Sequence, residues 1–210
     1  MFGQATNDAG LWTTLNIEKK LKKNVGIFAT EEFRLKENFT RLNLFYTDLG
    51  VFVQPVKFLK LSLSYRNIEK YVIENTFSFR HRLMLDISLK KKVGKLGLSY
   101  RQRIQAETRN VYTSGDGRVP EWYSRNKFEI KFDLDKKITP YVATELRFQI
   151  SDPRAVESDG LWHRARYVAG FDYEKNKRDK FGVYYLIQRE FNVSTPQNLY
   201  IFGLEYTISL

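Results

Sequence analysis

Along most of this chain apolar and polar residues alternate one for one. From Phe77 to Lys90, one parity carries Phe77, Phe79, Leu83, Leu85, Ile87 and Leu89 with a single His81. The other carries Ser78, Arg80, Arg82, Asp86, Ser88 and Lys90 with a single Met84. Successive side chains of a strand point to opposite faces, so a period of two predicts a strand with one apolar face. The C-terminal segment is cleaner. Tyr200, Phe202, Leu204, Tyr206, Ile208 and Leu210 share a face opposite Gly203, Glu205, Thr207 and Ser209. Similar alternation runs through residues 57–66, 96–107, 122–134, 138–151 and 161–174, and less cleanly through 11–20, 25–35, 41–53 and 181–191. In 41–53 the apolar parity switches near Phe45, which predicts a bulge. No segment shows the sustained three-four spacing of an amphipathic helix.

The alternation predicts about eleven strands, most of about 10 to 14 residues, long against the usual five or six. The connections alternate in length. Short turns are expected at 22–24, 54–56, 92–94, 135–137 and 176–179. Longer loops are expected at 69–76, 110–121, 152–160 and 192–198, and residues 36–38 belong to the long set by parity. Short turns at one rim and long loops at the other are the pattern of an outer-membrane meander. The fold class is therefore all-β: a closed antiparallel transmembrane barrel of about 12 strands, formed by residues 1–210 as one domain. Eleven strands are visible. A twelfth over residues 2–6, turning at 7–10, would bring both chain ends to the same rim. The alternative is a soluble barrel with its apolar faces inward, but so many long strands would enclose more volume than side chains readily fill.

Composition fits this inside-out reading. The chain has 210 residues, 42% hydrophobic and 15% aromatic, yet 28% charged. Two faces alternating at every residue average to a water-soluble composition. Hydrophobic content of this order excludes disorder, and the absence of cysteine excludes disulfide scaffolds and thiol chemistry. No apolar run approaches the roughly 18 residues of a spanning helix. Met1-Phe2-Gly3-Gln4-Ala5 is not a basic segment leading into an apolar core, so no signal peptide is expected here; the outer-membrane reading takes the chain as a mature form.

The net charge of +11 divides by position. Lysines gather at the short-turn rim: Lys19, Lys20, Lys22, Lys23, Lys57, Lys90, Lys91, Lys92, Lys95, Lys136 and Lys137 among them. Arginines fall on polar strand faces and are expected to line the lumen as a possible anion path: Arg66, Arg80, Arg82, Arg101, Arg103, Arg125, Arg147, Arg164 and Arg166. Lumen carboxylates are expected at Asp86, Glu107, Glu129, Glu145, Asp172 and Glu205. Arginine and carboxylate pair bidentately, so this set reads either as a network filling the lumen or as a charge ladder for anions. Trp12, Trp122 and Trp162 are expected in interfacial aromatic belts. A basic protein invites a nucleic-acid reading, but arginines inside a closed barrel cannot reach a duplex, and no binding motif occurs.

Catalytic signals are weak. The histidines, His81 and His163, both fall on nominally outward faces. Ser124, near Asn126, is the outward serine with polar company, and a Ser–His pair at the lipid boundary would suit a lipid-modifying enzyme. Nothing in the spacing supplies the required contact or a third orienting group. Gly115-Asp116-Gly117 reads as a loop turn. No catalytic residue, metal site or cofactor is expected.

Several short motifs resemble one family in order and spacing. They are Leu11-Trp12, Arg41-Leu42-Asn43, Phe79-Arg80-His81-Arg82-Leu83, Tyr100-Arg101 to Gln105, Pro120-Glu121-Trp122-Tyr123-Ser124-Arg125-Asn126-Lys127, Gly160-Leu161-Trp162-His163-Arg164-Ala165-Arg166-Tyr167 and Gly203-Leu204-Glu205-Tyr206. From about Ala9 to Leu210 the chain resembles the bacterial outer-membrane barrels known as domain-of-unknown-function 2490. The resemblance implies an integral outer-membrane protein of Gram-negative bacteria and supplies no activity. Residues 203–210 also resemble the C-terminal signal that barrel-assembly machinery recognises. The expected function is non-enzymatic and porin-like. It is either a narrow arginine-lined channel for small anionic solutes or a structural or accessory subunit of an outer-membrane complex. The alternative is a phospholipase-like enzyme working at the barrel exterior. Expected partners are outer-membrane lipid and other outer-membrane proteins, with no nucleic acid.

Overall fold

A computed structural model describes residues 6–72, 76–109, 115–134, 137–154 and 156–210. Eleven strands among these residues close into one barrel. In chain order they are β1 (Thr6–Lys22), β2 (Val25–Lys36), β3 (Arg41–Val56), β4 (Leu59–Tyr71), β5 (Phe77–Val93), β6 (Leu96–Arg109), β7 (Glu121–Phe132), β8 (Ile138–Ser151), β9 (Trp162–Glu174), β10 (Asp179–Glu190) and β11 (Gln197–Ser209). Every sequential pair is antiparallel. Closure comes from β1 and β11, which pair in parallel from Thr6↔Gln197 to Glu18↔Ser209.

That parallel seam answers the parity problem without the expected turn at 7–10. Strand β1 starts at Thr6 and runs straight through those residues, toward the same rim as β11. Residues 2–5 of the expected twelfth strand lie outside the described residues, as do Asp135 and Lys136 of the β7–β8 turn. The β3–β4 hairpin turns later than expected. Strand β3 continues through Val56 with a bulge between Val53 and Val56, leaving Lys57 and Phe58 at the turn. The parity switch near Phe45 is a bulge at Asn43, where Leu35 pairs with Leu42 and Arg34 with Leu44.

The wall is apolar outside and polar inside. Leu49, Leu63, Leu83, Leu85 and Tyr167 are each about half exposed, and more than forty large apolar side chains are exposed among the described residues. Soluble monomers rarely expose apolar patches beyond a few hundred Å². Inward positions hold Glu32, Asp48, Arg66, Asp86, Arg103, Glu107 and Glu145, all buried. Close packing inside requires glycine where an aromatic ring crosses the lumen wall. Tyr184 lies between Gly170 and Gly203 in register, and a Cβ on Gly203 would collide with its ring.

Candidate functional site: the arginine-lined lumen

The lumen divides into two halves. From mid-barrel to the short-turn rim it holds a cavity of about 540 Å³, bounded by residues from Trp12, Arg34 and Tyr46 down to Glu18, Lys60 and Lys180. Toward the long loops it is packed: Ile68, Met84, Gln105, Tyr123, Gln149, Gln188 and Ile201 are each 3% exposed or less. An apolar cluster of Trp12, Leu186 and Ile201 fills the side near the parallel seam, and the side formed by β5–β9 is polar.

Ten basic side chains face six acidic ones around the cavity. Glu145 accepts from Arg101 Nη2 at 2.8 Å and Arg125 Nη2 at 2.5 Å, and Arg166 Nη1 lies 3.4 Å away. Arg103 grips Asp86 through Nε and Nη2, both at 2.6 Å. Arg66 donates to Asp48 at 2.8 Å. Nearer the long loops Glu107 receives Arg80 at 3.2 Å and also Arg82, and Arg164 Nε donates to Glu190 at 3.0 Å. Toward the short turns Lys127 meets Glu129 at 2.7 Å and Lys131 meets Asp172 at 2.5 Å. Glu205 accepts from Asn16 at 3.0 Å.

Strand register sets a second pattern. Arg103 pairs with Arg125, Arg125 with Arg147, and Arg147 with Arg164, with Asp86 before the row and Glu190 after it. Like charges directly opposite each other destabilise a sheet, so the row stands only with compensation from its ends and from Glu145. Because strands tilt in a barrel, the row climbs the wall from the cavity at Arg103 to near the long-loop rim at Arg164. In the loop after β8, burial pushes the Asp152 carboxyl up. Hydrogen bonding to Glu121 and the Arg154 N–H, together with the Arg154 charge, outweighs burial and holds it below the usual carboxylate range.

Two expected positions are corrected. Trp12 is not interfacial: it is 5% exposed inside the barrel, with the Arg34 guanidinium 3.7 Å from its ring centroid. Its parity is that of Thr14, Asn16 and Glu18, and Leu11, Leu15 and Ile17 take the outer face. Trp122 and Trp162 do face outward near the long-loop rim, each about two-fifths exposed. His163 also points inward, 2% exposed. A bulge leaves it out of register, since Arg147 pairs with Arg164 and Phe148 with Trp162. Ser124 lines an outer recess with Asn126, Phe128, Leu146, Phe148 and Trp162. Ser124 and His163 therefore lie on opposite sides of the wall and cannot form a Ser–His pair. His81 stays outward, its Nδ1 2.6 Å from the Tyr65 hydroxyl. Sequence reasoning missed Arg34, which pairs with Glu32 at 2.5 Å; its parity matched Glu32, but 25–35 alternates too weakly to show it.

A profile described as "Protein of unknown function (DUF2490)" matches residues 9–199. The chain belongs to that family. No curated protein matches it. Among solved structures, this DUF2490 barrel is similar to LpxR from Salmonella typhimurium. The TM-score is 0.52 at 8% identity, covering 87% of this chain and 83% of that one; at such identity the likeness speaks to the fold alone. An anion-selective porin from Comamonas acidovorans matches at TM-score 0.40 and 11% identity, over 84% of this chain and 51% of that one. The barrel fold resembles those of outer-membrane proteins.

Proposed function

We propose that this barrel resides in the outer membrane of a Gram-negative bacterium and passes small anionic solutes through its arginine-lined lumen as a narrow, non-enzymatic conduit. The observation that carries the reading is the cavity's charge, ten basic side chains against six acidic, with three arginines on the single carboxylate of Glu145. Low-dielectric walls focus such a field, and arginine rings select anions in pores. The apolar outer wall supports a surrounding of outer-membrane lipid, and closure satisfies the backbone groups that lipid cannot. With short turns on the periplasmic side, the cavity opens to the periplasm.

The test is single-channel recording in planar bilayers under a potassium chloride gradient. The reversal potential is expected to show anion preference at small conductance. Replacing both Arg101 and Arg125 with glutamine is expected to reduce that preference. Cation preference, or electrical silence over many insertions, overturns the reading.

A further inference from the structure

The arginine row is compensated unevenly. Arg103 has both oxygens of Asp86, Arg125 has Glu145, and Arg164 has Glu190. Arg147 forms no ion pair among the described residues. Its guanidinium carbon sits 4.4 Å from the Tyr123 ring centroid, and its Nε is buried with no hydrogen-bond partner. On the same tyrosine rests His163, ring centroids 5.4 Å apart, and neither of its buried ring nitrogens makes a hydrogen bond of normal geometry, only a weak contact with the Leu161 backbone. An uncompensated cation and an unsatisfied imidazole thus share one aromatic platform, at the row's third step, in the packed half of the lumen. Unpaired buried polar groups are costly, and a buried charge without a counterion more so. A histidine that served only to fill space beside two arginines would be better replaced by an apolar residue.

We infer that Arg147 and His163 form a binding site for a small oxyanion, a carboxylate or phosphate group carrying about one negative charge. The guanidinium fork matches two oxygens of such a group. A neutral imidazole offers one N–H donor toward the same ligand, and the Tyr123 face holds the guanidinium by cation–π contact. The β9 bulge turns His163 into the lumen and leaves Trp162 outward, a re-aiming that bulges commonly provide. The inference rests on the proposed anion conduit and locates the step at which an anion is held between the open cavity and the long-loop rim.

The chain has only two histidines, so isotope labelling of their rings isolates the site. The protein, folded in detergent micelles, is titrated with inorganic phosphate and separately with acetate, at ionic strength balanced by chloride. The His163 ring signal, assigned by its loss in His163→Gln, is expected to shift saturably. The His81 signal, outside the barrel and bonded to Tyr65, is expected to stay. Arg147→Gln is expected to weaken phosphate binding at that signal at least tenfold, and Arg147→Lys, which keeps the charge without the fork, by less. Saturation by phosphate but not acetate assigns a phosphate group; saturation by acetate as well assigns carboxylates too. Calorimetry on the same samples separates the two readings. Anion uptake that is lost in Arg101→Gln while the His163 signal never moves overturns this site and leaves the conduit standing. No uptake of either anion overturns both. If Arg147→Gln does not fold, as judged by unchanged gel mobility on heating, the wild-type titration and Arg147→Lys still decide.

Discussion

Removing the charge of Glu145 is the sharpest perturbation of the lumen. This carboxylate is 7% exposed and holds Arg101, Arg125 and Arg166 within 3.4 Å. In Glu145→Gln the side chain keeps its shape, but three guanidinium groups are left facing one another. Breaking a buried ion pair from one side costs about 3–5 kcal/mol. The glutamine carbonyl still accepts one hydrogen bond from an arginine, worth about 1.5–3 kcal/mol for a charged donor, so the lower end applies and a loss of about 3 kcal/mol is expected. That is about a hundredfold in the folding equilibrium. The assay is urea unfolding of the barrel in lipid vesicles, followed by tryptophan fluorescence. The loss should be reversed in part by phosphate, which can bind the three uncompensated arginines from the adjoining cavity. At about a hundred times its dissociation constant a ligand returns about 2.7 kcal/mol. An unfolding midpoint equal to wild type would refute the electrostatic reading. So would a loss that phosphate restores no better than chloride at equal ionic strength.

Two further substitutions test the wall itself. Leu63 and Leu85 face each other across β4 and β5 on the outer surface, each about half exposed. Leu63→Arg should destabilise folding into vesicles by about 2–4 kcal/mol if this band lies in hydrocarbon, and an unchanged vesicle-folding titration would place the band outside lipid. Gly203→Ala should displace the Tyr184 ring and cost about 1–3 kcal/mol through overpacking. Adding Tyr184→Ala should return part of that loss in a double-mutant cycle, and strictly additive losses would show that the ring is not the obstacle.

The architecture was legible because a membrane barrel writes each residue's side of the wall into a two-residue period. Phe77 to Lys90 and Tyr200 to Leu210 state their faces without help from distant parts of the chain. The closing pair was not legible. Sequence alternation says which way each side chain points within a strand, but nothing about which strand end meets which. Counting parity therefore asked for a twelfth strand, whereas Thr6–Glu18 pairs in parallel with Gln197–Ser209. A parallel pair satisfies the same backbone groups as an antiparallel one, so an odd strand number closes without an edge.

The two residues that sequence places on the wrong side are misplaced for different physical reasons. Tryptophan favours membrane interfaces by chemical type, but the parity of β1 turns Trp12 inward. The parity of β9 points His163 outward, and parity fails at the bulge. Both hidden residues touch arginines or the ring that carries one: Arg34 lies over Trp12, and Tyr123 packs against both Arg147 and His163. The arginine row has the opposite history. Its members are scattered through the chain at Arg103, Arg125, Arg147 and Arg164, each separately readable as inward. Their cross-strand adjacency depends on three hairpin registers, those of β6–β7, β7–β8 and β8–β9. Without the β9 bulge the register that pairs Arg147 with Arg164 would continue, and Phe148 would face His163. One inserted residue at the end of the row therefore sets the inward turn of the histidine beside its uncompensated member.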